Sequence, residues 1–203
     1  MINNIYPGKF VVLEGLDGSG QSTQAIHLAE FLVNNGDNVI VTKEPTTDSE
    51  AGRRIKEILR EHVQIDPLEF QKLFTKDREE HLNNKIIPAL KEGKIVISDR
   101  YFFSSFAYGT AHGHNIDDLI ELNNNFLYPD LIFFLNVKPK VCIERIEKRG
   151  SHKDLFEKEE KLAKVWEVYK TFPKRFKNFH LIDGERKIKE IAEEIKEIYE
   201  TIS

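Results

Sequence analysis

The chain has 203 residues, 40% of them hydrophobic and 32% charged, with a formal net charge of −4. That mix suits a soluble globular protein with a sizeable core, and the negative balance excludes a general affinity for nucleic acid or anionic membrane while leaving room for a local basic site. No apolar run approaches the roughly 20 residues needed to span a bilayer, the start "MINNIYPGKF" does not read as a secretory signal, and the lone Cys142 has no internal disulfide partner, which fits a reducing cytoplasm and a packing role on a helix.

Taken in chain order, the first predicted element is the apolar run "FVVLE" (10–14), read as a strand. The Gly-rich stretch "EGLDGSGQST" (14–23) follows. It leads into a helical segment in which Ala25, Leu28, Ala29, Leu32 and Val33 share one face and Gly36 supplies the stop. Four further runs, "NVIVT" (38–42), "KIVIS" (94–98), "LIFFLNV" (131–137) and "FHLID" (179–183), are rich in Val, Ile and Phe with little alternation. Such runs are expected of strands buried on both faces of a parallel sheet. The last segment sets Ile188, Ile191, Ala192, Ile195, Ile198 and Ile202 along one helical stripe. No repeat, low-complexity tract or Pro/Ser-rich linker interrupts the chain, so residues 1–203 read as one domain. Strands alternating with helices predict right-handed crossovers and a doubly wound α/β fold, a five-stranded parallel sheet with helices on both faces.

In such folds the ligand lies beyond the carboxyl ends of the strands, at helix N-termini. The stretch 14–23 is placed there, and it matches the phosphate-loop pattern Gly-x-x-x-x-Gly-Lys-[Ser/Thr] at Gly15, Gly20 and Ser22. A backbone curled around a phosphate needs positive φ angles and no Cβ in the way, and the Ser22 hydroxyl is suited to a Mg²⁺ ion that bridges two phosphates. A plain Gly-rich turn is the competing reading; a dinucleotide fingerprint is not, because Gly18-x-Gly20-x-x-Thr23 lacks its third glycine. The pattern breaks at Gln21, where lysine is the rule. Glutamine can donate a hydrogen bond to phosphate but brings no charge, and a hydrogen bond to a charged group is worth about 1.5–3 kcal/mol.

Two more segments end on the same edge. "SDRY" (98–101) places Asp99 to hold magnesium through water and Arg100 to grip a phosphate in a bidentate fork, with a structural ion pair as the alternative. "KEPT" (43–46) follows the second strand, with Pro45 in a tight turn and Glu44 either at the ligand or simply solvated.

The order "EGLDGSGQST", "TKEPT", "LFTKDR", "DRYFFSSFAYG", "PDLIFFLNV" and "RIEKRG" resembles the thymidylate kinase family of P-loop nucleoside monophosphate kinases, from about residue 10 to 183. The resemblance implies an enzyme that transfers phosphate from ATP, with Mg²⁺, to dTMP, and a cytoplasmic homodimer that binds neither nucleic acid nor membrane. The loop residues Gly15, Leu16, Asp17, Gly18, Ser19, Gly20, Gln21, Ser22 and Thr23 would hold ATP, with Ser22 and Asp99 on the metal. Arg145 or Arg149 is placed to stack on adenine, and Asp183 to line the adenine pocket. Phe74 would stack on thymine and Arg78, one turn on, would reach its carbonyl edge, a spacing that shares one helix face. Arg100 would hold the dTMP phosphate, Ser104 and Ser105 would meet the base, and Tyr108 would lie against the sugar. Asp17 resembles the acidic residue at the sugar 3′-hydroxyl or the metal region, and Glu44 belongs to the same substrate set. The mobile lid corresponds to about 146–160, where Lys148, Arg149 and Lys153 would bring charge to the transferring phosphoryl group, so that Asp17, Gln21, Arg100, Arg149 and Lys153 form the catalytic set.

Three departures accompany the resemblance. Gln21 replaces the loop lysine, Gly18 stands where some members carry an arginine, and the lid is poor in arginine. Lysine lacks the arginine fork, so slower transfer is expected. Two alternatives stay open on the sequence: a nucleotide-binding module weakened by Gln21, and a kinase for another deoxynucleoside monophosphate such as dUMP, since a pocket discriminates one methyl group by only about 10–200-fold.

Overall fold

A computed structural model describes residues 1–148 and 155–202, without the side chains of 155–158. The central sheet is built from β2 (Phe10–Gly15), β3 (Val39–Lys43), β4 (Ile95–Asp99), β6 (Leu131–Asn136) and β7 (Phe179–Asp183). All pairings are parallel and the order is β3-β4-β2-β6-β7. The five predicted strands are all present, with ends shifted by at most one residue. Two very short strands, β1 (Ile2–Asn3) and β5 (Leu127–Tyr128), form a separate parallel pair; two residues carry no readable period, so the sequence gives no sign of them.

The helices are α1 (Gln21–Asn34), α2 (Glu50–Glu61), α3 (Pro67–His81), α4 (Ile87–Lys91), α5 (Phe102–Ala111), α6 (Ile116–Leu122), α7 (Pro139–Glu147), α8 (Leu155–Thr171) and α9 (Ile188–Glu200), with a π-helical stretch, Leu82–Ile86, joining α3 to α4. Local chemistry starts several of them. Ser49 Oγ accepts from Gly52 N at the head of α2, and Asp66 accepts from Leu68 N and Glu69 N ahead of Pro67 in α3, each satisfying amides that a helix leaves unpaired at its N-terminus.

The period-2 alternation of a strand divides the core into two layers. Val11, Leu13, Ile95, Ile97, Phe133 and Leu135 face Leu28 and Leu32 of α1 and Ile191 and Ile195 of α9. Phe10, Val12, Val96, Ile132 and Phe134 face Phe102, Phe103 and Phe106 of α5 and Val165 and Tyr169 of α8. Both helical stripes run wider than the buried arc: Val33 is 55% exposed and Ile188 54%, against an expected place on the buried face. Cys142 packs into the second layer as a free, buried thiol.

Two consequences position the site. Asp99 continues the Ile95, Ile97 face and so points toward α1, whereas Glu14 continues the Phe10, Val12 face and points toward α5 and α8. The chain leaves central β2 and crosses to β3, skipping the place filled by β4, which makes the carboxyl end of β2 a point where connections part to opposite sides. Ligands of open α/β sheets bind there.

Candidate active site

The loop after β2 is shaped by its glycines. Gly18 has φ +88°, and a Cβ there would lie 2.6 Å from the Cys142 carbonyl oxygen; Gly20 has φ +103° and is the N-cap of α1, with no side-chain cap bond. The first amides of α1 are therefore free for an anion, with the helix dipole behind them. Ser19 N bonds Leu16 O at 3.0 Å, which closes the turn. Arg145 braces it from α7, donating from Nη1 to Ser19 O at 3.1 Å and from Nη2 to Gly184 O at 3.0 Å. Gln21 is only 5% exposed, and its Nε2, like Ser19 Oγ, is buried without a partner among the described residues. Buried donors are normally paired, so this amide is a donor left open among the described residues.

On the α1 side of the loop, Ser22 Oγ donates to Asp99 Oδ2 in a short hydrogen bond. Lys43 is the registered cross-strand neighbour of Asp99, and its Nζ lies 2.6 Å from the same Oδ2 and 3.5 Å from Ser22 Oγ. Asp99 Oδ1 is buried and unpartnered among the described residues. A hydroxyl and a carboxylate with one oxygen to spare are hard donors that suit Mg²⁺. Among the described residues no group of three or more His, Cys, Asp or Glu side chains could hold a metal, so an ion here would complete its shell from substrate phosphates and water, as magnesium usually does.

On the other side stands Arg100, its side chain 12% exposed. Nη2 reaches Asp17 Oδ1 at 2.8 Å and Gln21 Oε1 at 3.3 Å; Nη1 reaches Ser104 Oγ at 2.9 Å. Its guanidinium lies 5.7 Å from the centre of the Tyr108 ring. Behind it, fully buried Glu14 accepts from Tyr101 N at 2.9 Å, Ser104 N at 3.3 Å, Ser104 Oγ at 2.7 Å and Tyr169 OH at 2.8 Å. Burial pushes the Glu14 carboxyl up to about 7, against the opposing pull of Arg100 and of these hydrogen bonds. A carboxyl raised in the folded state contributes stability that is complete below its unfolded value of about 4.5 and is lost as pH rises to about 7. Urea unfolding at pH 5 and pH 8 is expected to show the wild type losing about 3 kcal/mol relative to Glu14→Gln across that window. A parallel pH response of the two proteins would mean that Glu14 stays ionised throughout.

Helix α3 carries Phe74 and Arg78, one turn apart. Phe74 is half-buried, edge-on to Phe70 with ring centres 5.0 Å apart. Arg78 is 1% exposed: Nε donates to Glu44 Oε2 at 2.9 Å, Nη1 to Asn123 Oδ1 at 2.6 Å and Nη2 to Ser105 Oγ at 3.3 Å. Glu44 also meets His81 Nδ1 at 3.1 Å. Asp77, buried beside them, accepts from Thr46 N at 2.9 Å and Thr46 Oγ1 at 2.6 Å and from Ser49 Oγ, tying the turn after β3 to α3.

A family model for thymidylate kinase matches residues 13–195. The chain is 40% identical over 193 residues to a probable thymidylate kinase of Pyrococcus horikoshii, covering 93% of this chain and 94% of that one. It is 40% identical over 198 residues to the probable thymidylate kinase of Thermococcus gammatolerans, with 93% and 94% covered, and 34% identical over 201 residues to the thymidylate kinase of Caldicellulosiruptor saccharolyticus, with 96% and 97% covered. The chain belongs to the thymidylate kinase family.

In this family member the loop residues Gly15 to Thr23, Asp99 and Arg100 come together as one edge, and Arg145 joins the loop to the turn holding Asp183 and Gly184. Asp183 itself is exposed and accepts from Glu185 N at 3.0 Å. Glu44 is 3% exposed, so its reading as a solvated charge is corrected: the odd-even alternation of β3 turns Lys43 to α1 and Glu44 to α3. Ser104 and Ser105, paired by the resemblance, point to different places, Ser105 to Arg78 and Ser104 to Arg100 and Glu14. Lys148 ends α7 as its exposed C-cap; Arg149 and Lys153 lie outside the described residues with the rest of 149–154, whereas 155–160, the last part of the expected lid, open α8. Sequence reasoning missed Lys43, Glu14, Asn123 and Tyr169. Lys43 opens the quoted "KEPT" and Glu14 opens the loop itself, and a period-2 projection from the ends of β3 and β2 would have picked out both.

Proposed function

We propose that this chain catalyses in-line transfer of the γ-phosphoryl group of ATP to the 5′-phosphate of dTMP, giving ADP and dTDP for dTTP synthesis. The observation that carries the reading is Arg100, which touches the phosphate loop at Asp17 and Gln21 with one nitrogen and the acceptor side at Ser104 with the other. A donor held by the loop amides and an acceptor held by Arg100 meet end to end there. The acceptor is already an anion, so catalysis is positioning and charge neutralisation with no strong base. Arg145 and the Asp183–Gly184 turn form the adenine side; Phe74, Arg78 and Ser105 form the thymine side, with Glu44 setting the pose of Arg78. Ser22 and Asp99 would hold magnesium, whose charge would offset that of the phosphates. The acceptor set speaks against a pure nucleotide-binding module, which has no use for it.

Coupled detection of ADP release in the presence of dTMP tests the reading, with Ser22→Ala as the reference; turnover no higher than that variant's supports the module instead, and dUMP run in parallel measures the selectivity. The reading extends to a cytoplasmic homodimer, supported by the family resemblance; light scattering that returns a monomer mass rejects the dimer. No helix among the described residues is long and apolar enough to cross a membrane.

Gln21→Lys is expected to raise kcat by about tenfold or more while changing KM for dTMP far less, because its unpartnered Nε2 lies in the donor loop and a charged hydrogen bond is worth about 1.5–3 kcal/mol. Steady-state kinetics checks this, and unchanged or lower turnover would show a site rebuilt around glutamine.

A further inference from the structure

A carboxyl in the middle of a packed strand is a poor choice for stability. Glu14 is 0% exposed, at the end of the most deeply buried strand, with Phe134 as its registered neighbour on β6. Its oxygens are not spent on one partner. Oε1 takes the backbone N–H groups of Tyr101 and Ser104, at the first turn of α5, and Oε2 takes the hydroxyls of Ser104 and Tyr169. The charged or titratable groups around it are Arg100 from the β4–α5 turn and Tyr169 from α8, with Asp17 and Tyr108 facing Arg100 from beyond.

The Ser104 hydroxyl is the informative member. It has one proton and two acceptors in reach, Glu14 Oε2 at 2.7 Å and Tyr169 OH at 3.1 Å; Tyr169 gives its own proton to Glu14, and with Glu14 ionised the nearer carboxylate oxygen takes the Ser104 proton. Its lone pairs are thereby turned outward, and Arg100 Nη1 donates to one of them at 2.9 Å. One arm of the guanidinium is tied back through Ser104 to Glu14, while the other rests on Asp17 and Gln21, partners that lie in the loop itself. The Arg100 backbone is held as firmly, with φ at +75°, its N–H on Leu13 O and its carbonyl accepting from Ser98 Oγ. A buried carboxylate, a one-proton relay and an arginine with one fixed and one exchangeable arm form a pointing device.

We propose that Glu14 is the positioning residue for Arg100, orienting through Ser104 the guanidinium that receives the acceptor phosphate. The inference rests on the reading of Arg100 given above. Glu14 touches neither substrate; it keeps Nη1 in place so that Nη2 can exchange Asp17 and Gln21 for a phosphate oxygen without the whole side chain moving. Gln in its place keeps the size and the acceptor for the two backbone N–H groups, but puts a donor where Ser104 and Tyr169 each need an acceptor.

The test is Glu14→Gln at pH 8, where the wild-type carboxyl is ionised, with dTMP affinity measured by calorimetry on the full chain and both KM values by initial rates. The Kd and KM for dTMP are expected to rise about tenfold, on the scale of losing one charge-assisted hydrogen bond, with KM for ATP within about twofold of wild type. The unfolding midpoint at pH 8 is expected to be equal or higher, an outcome that a purely structural residue would not produce. Ser104→Ala cuts the same relay with Glu14 in place; it should match the loss, and the double variant should add little to it. If Glu14→Gln does not fold, Ser104→Ala decides alone. A folded variant that binds dTMP as wild type, a parallel rise in both KM values, or additive losses in the double variant would each overturn the proposal. Arg100→Met separates the two levels: if it too leaves dTMP affinity unchanged, the acceptor-site reading has failed, whereas loss in that variant alone sinks only the role of Glu14.

Discussion

Replacing Arg100 by methionine is expected to lower kcat/KM for dTMP by about 10²–10³-fold, the scale of deleting a preorganised donor aimed at developing charge. Methionine keeps the length and the apolar stem, so the loss reports the guanidinium. The local backbone is already overdetermined: a non-glycine residue at φ +75° costs about 1–3 kcal/mol and persists only where its surroundings hold it. Here the Leu13 carbonyl and the Ser98 hydroxyl do so without the side chain, which makes a folded variant the expected product. Both kcat and KM should suffer, because in the proposed function the same group binds the acceptor and lines it up with the donor. Arg100→Lys retains the charge but not the fork, and should recover only part of the activity. Initial-rate kinetics with dTMP varied at saturating ATP decides it. An Arg100→Met enzyme within about tenfold of wild type would remove Arg100 from the reacting centre.

Arg78→Met is expected to act first on stability, by about 3–5 kcal/mol, the cost of removing one partner of a buried ion pair. Arg78 and Glu44 have side chains 1% and 3% exposed, so water cannot take over from either. The substitution would strand Glu44 with His81 alone and leave the Asn123 and Ser105 oxygens without their donor. Lost too is the guanidinium that lies 5.3 Å from the Tyr101 ring centre. For a chain of this length the melting temperature should fall by roughly 10 °C. Adding Glu44→Gln should return part of the loss, since the uncompensated charge then disappears. Guanidinium unfolding of the single and double variants is the measurement; a single-variant loss under about 1 kcal/mol would show that Glu44 finds its counter-charge elsewhere. The same network bears on function. Arg78 is locked by its protein partners, so if it meets the base as proposed, little ordering is left for the ligand to impose.

Much of the site was legible because its signals are local. Gly18 and Gly20 had to be glycine for a loop that curls with positive φ, and a run of buried strand followed at once by that loop and a helix admits few arrangements. Asp99 and Arg100 follow from their place at the end of a strand. Glu44 was not legible in the same way. A glutamate beside a proline turn looks solvated until α3 is laid across it, and the helix arrives from residues more than 20 positions away in sequence. Ser104 shows the same limit: adjacency to Ser105 suggested one role, but neighbouring helix positions point about 100° apart and meet different layers.

By itself, the sequence determined which five segments build the central sheet, that this sheet is parallel and covered on both faces, and that a Gly-rich loop of phosphate-binding pattern with an uncharged Gln21 opens the first helix; these rest on spacing and residue type within about ten positions. Only the tertiary structure decided that Lys43 sits on Asp99 and Ser22, that Glu14 holds Ser104 behind Arg100, and that Arg78 is locked to Glu44 and Asn123. Those contacts depend on β4 lying between β3 and β2 and on which helix covers each face, and strand order is set by long-range packing that no local pattern encodes.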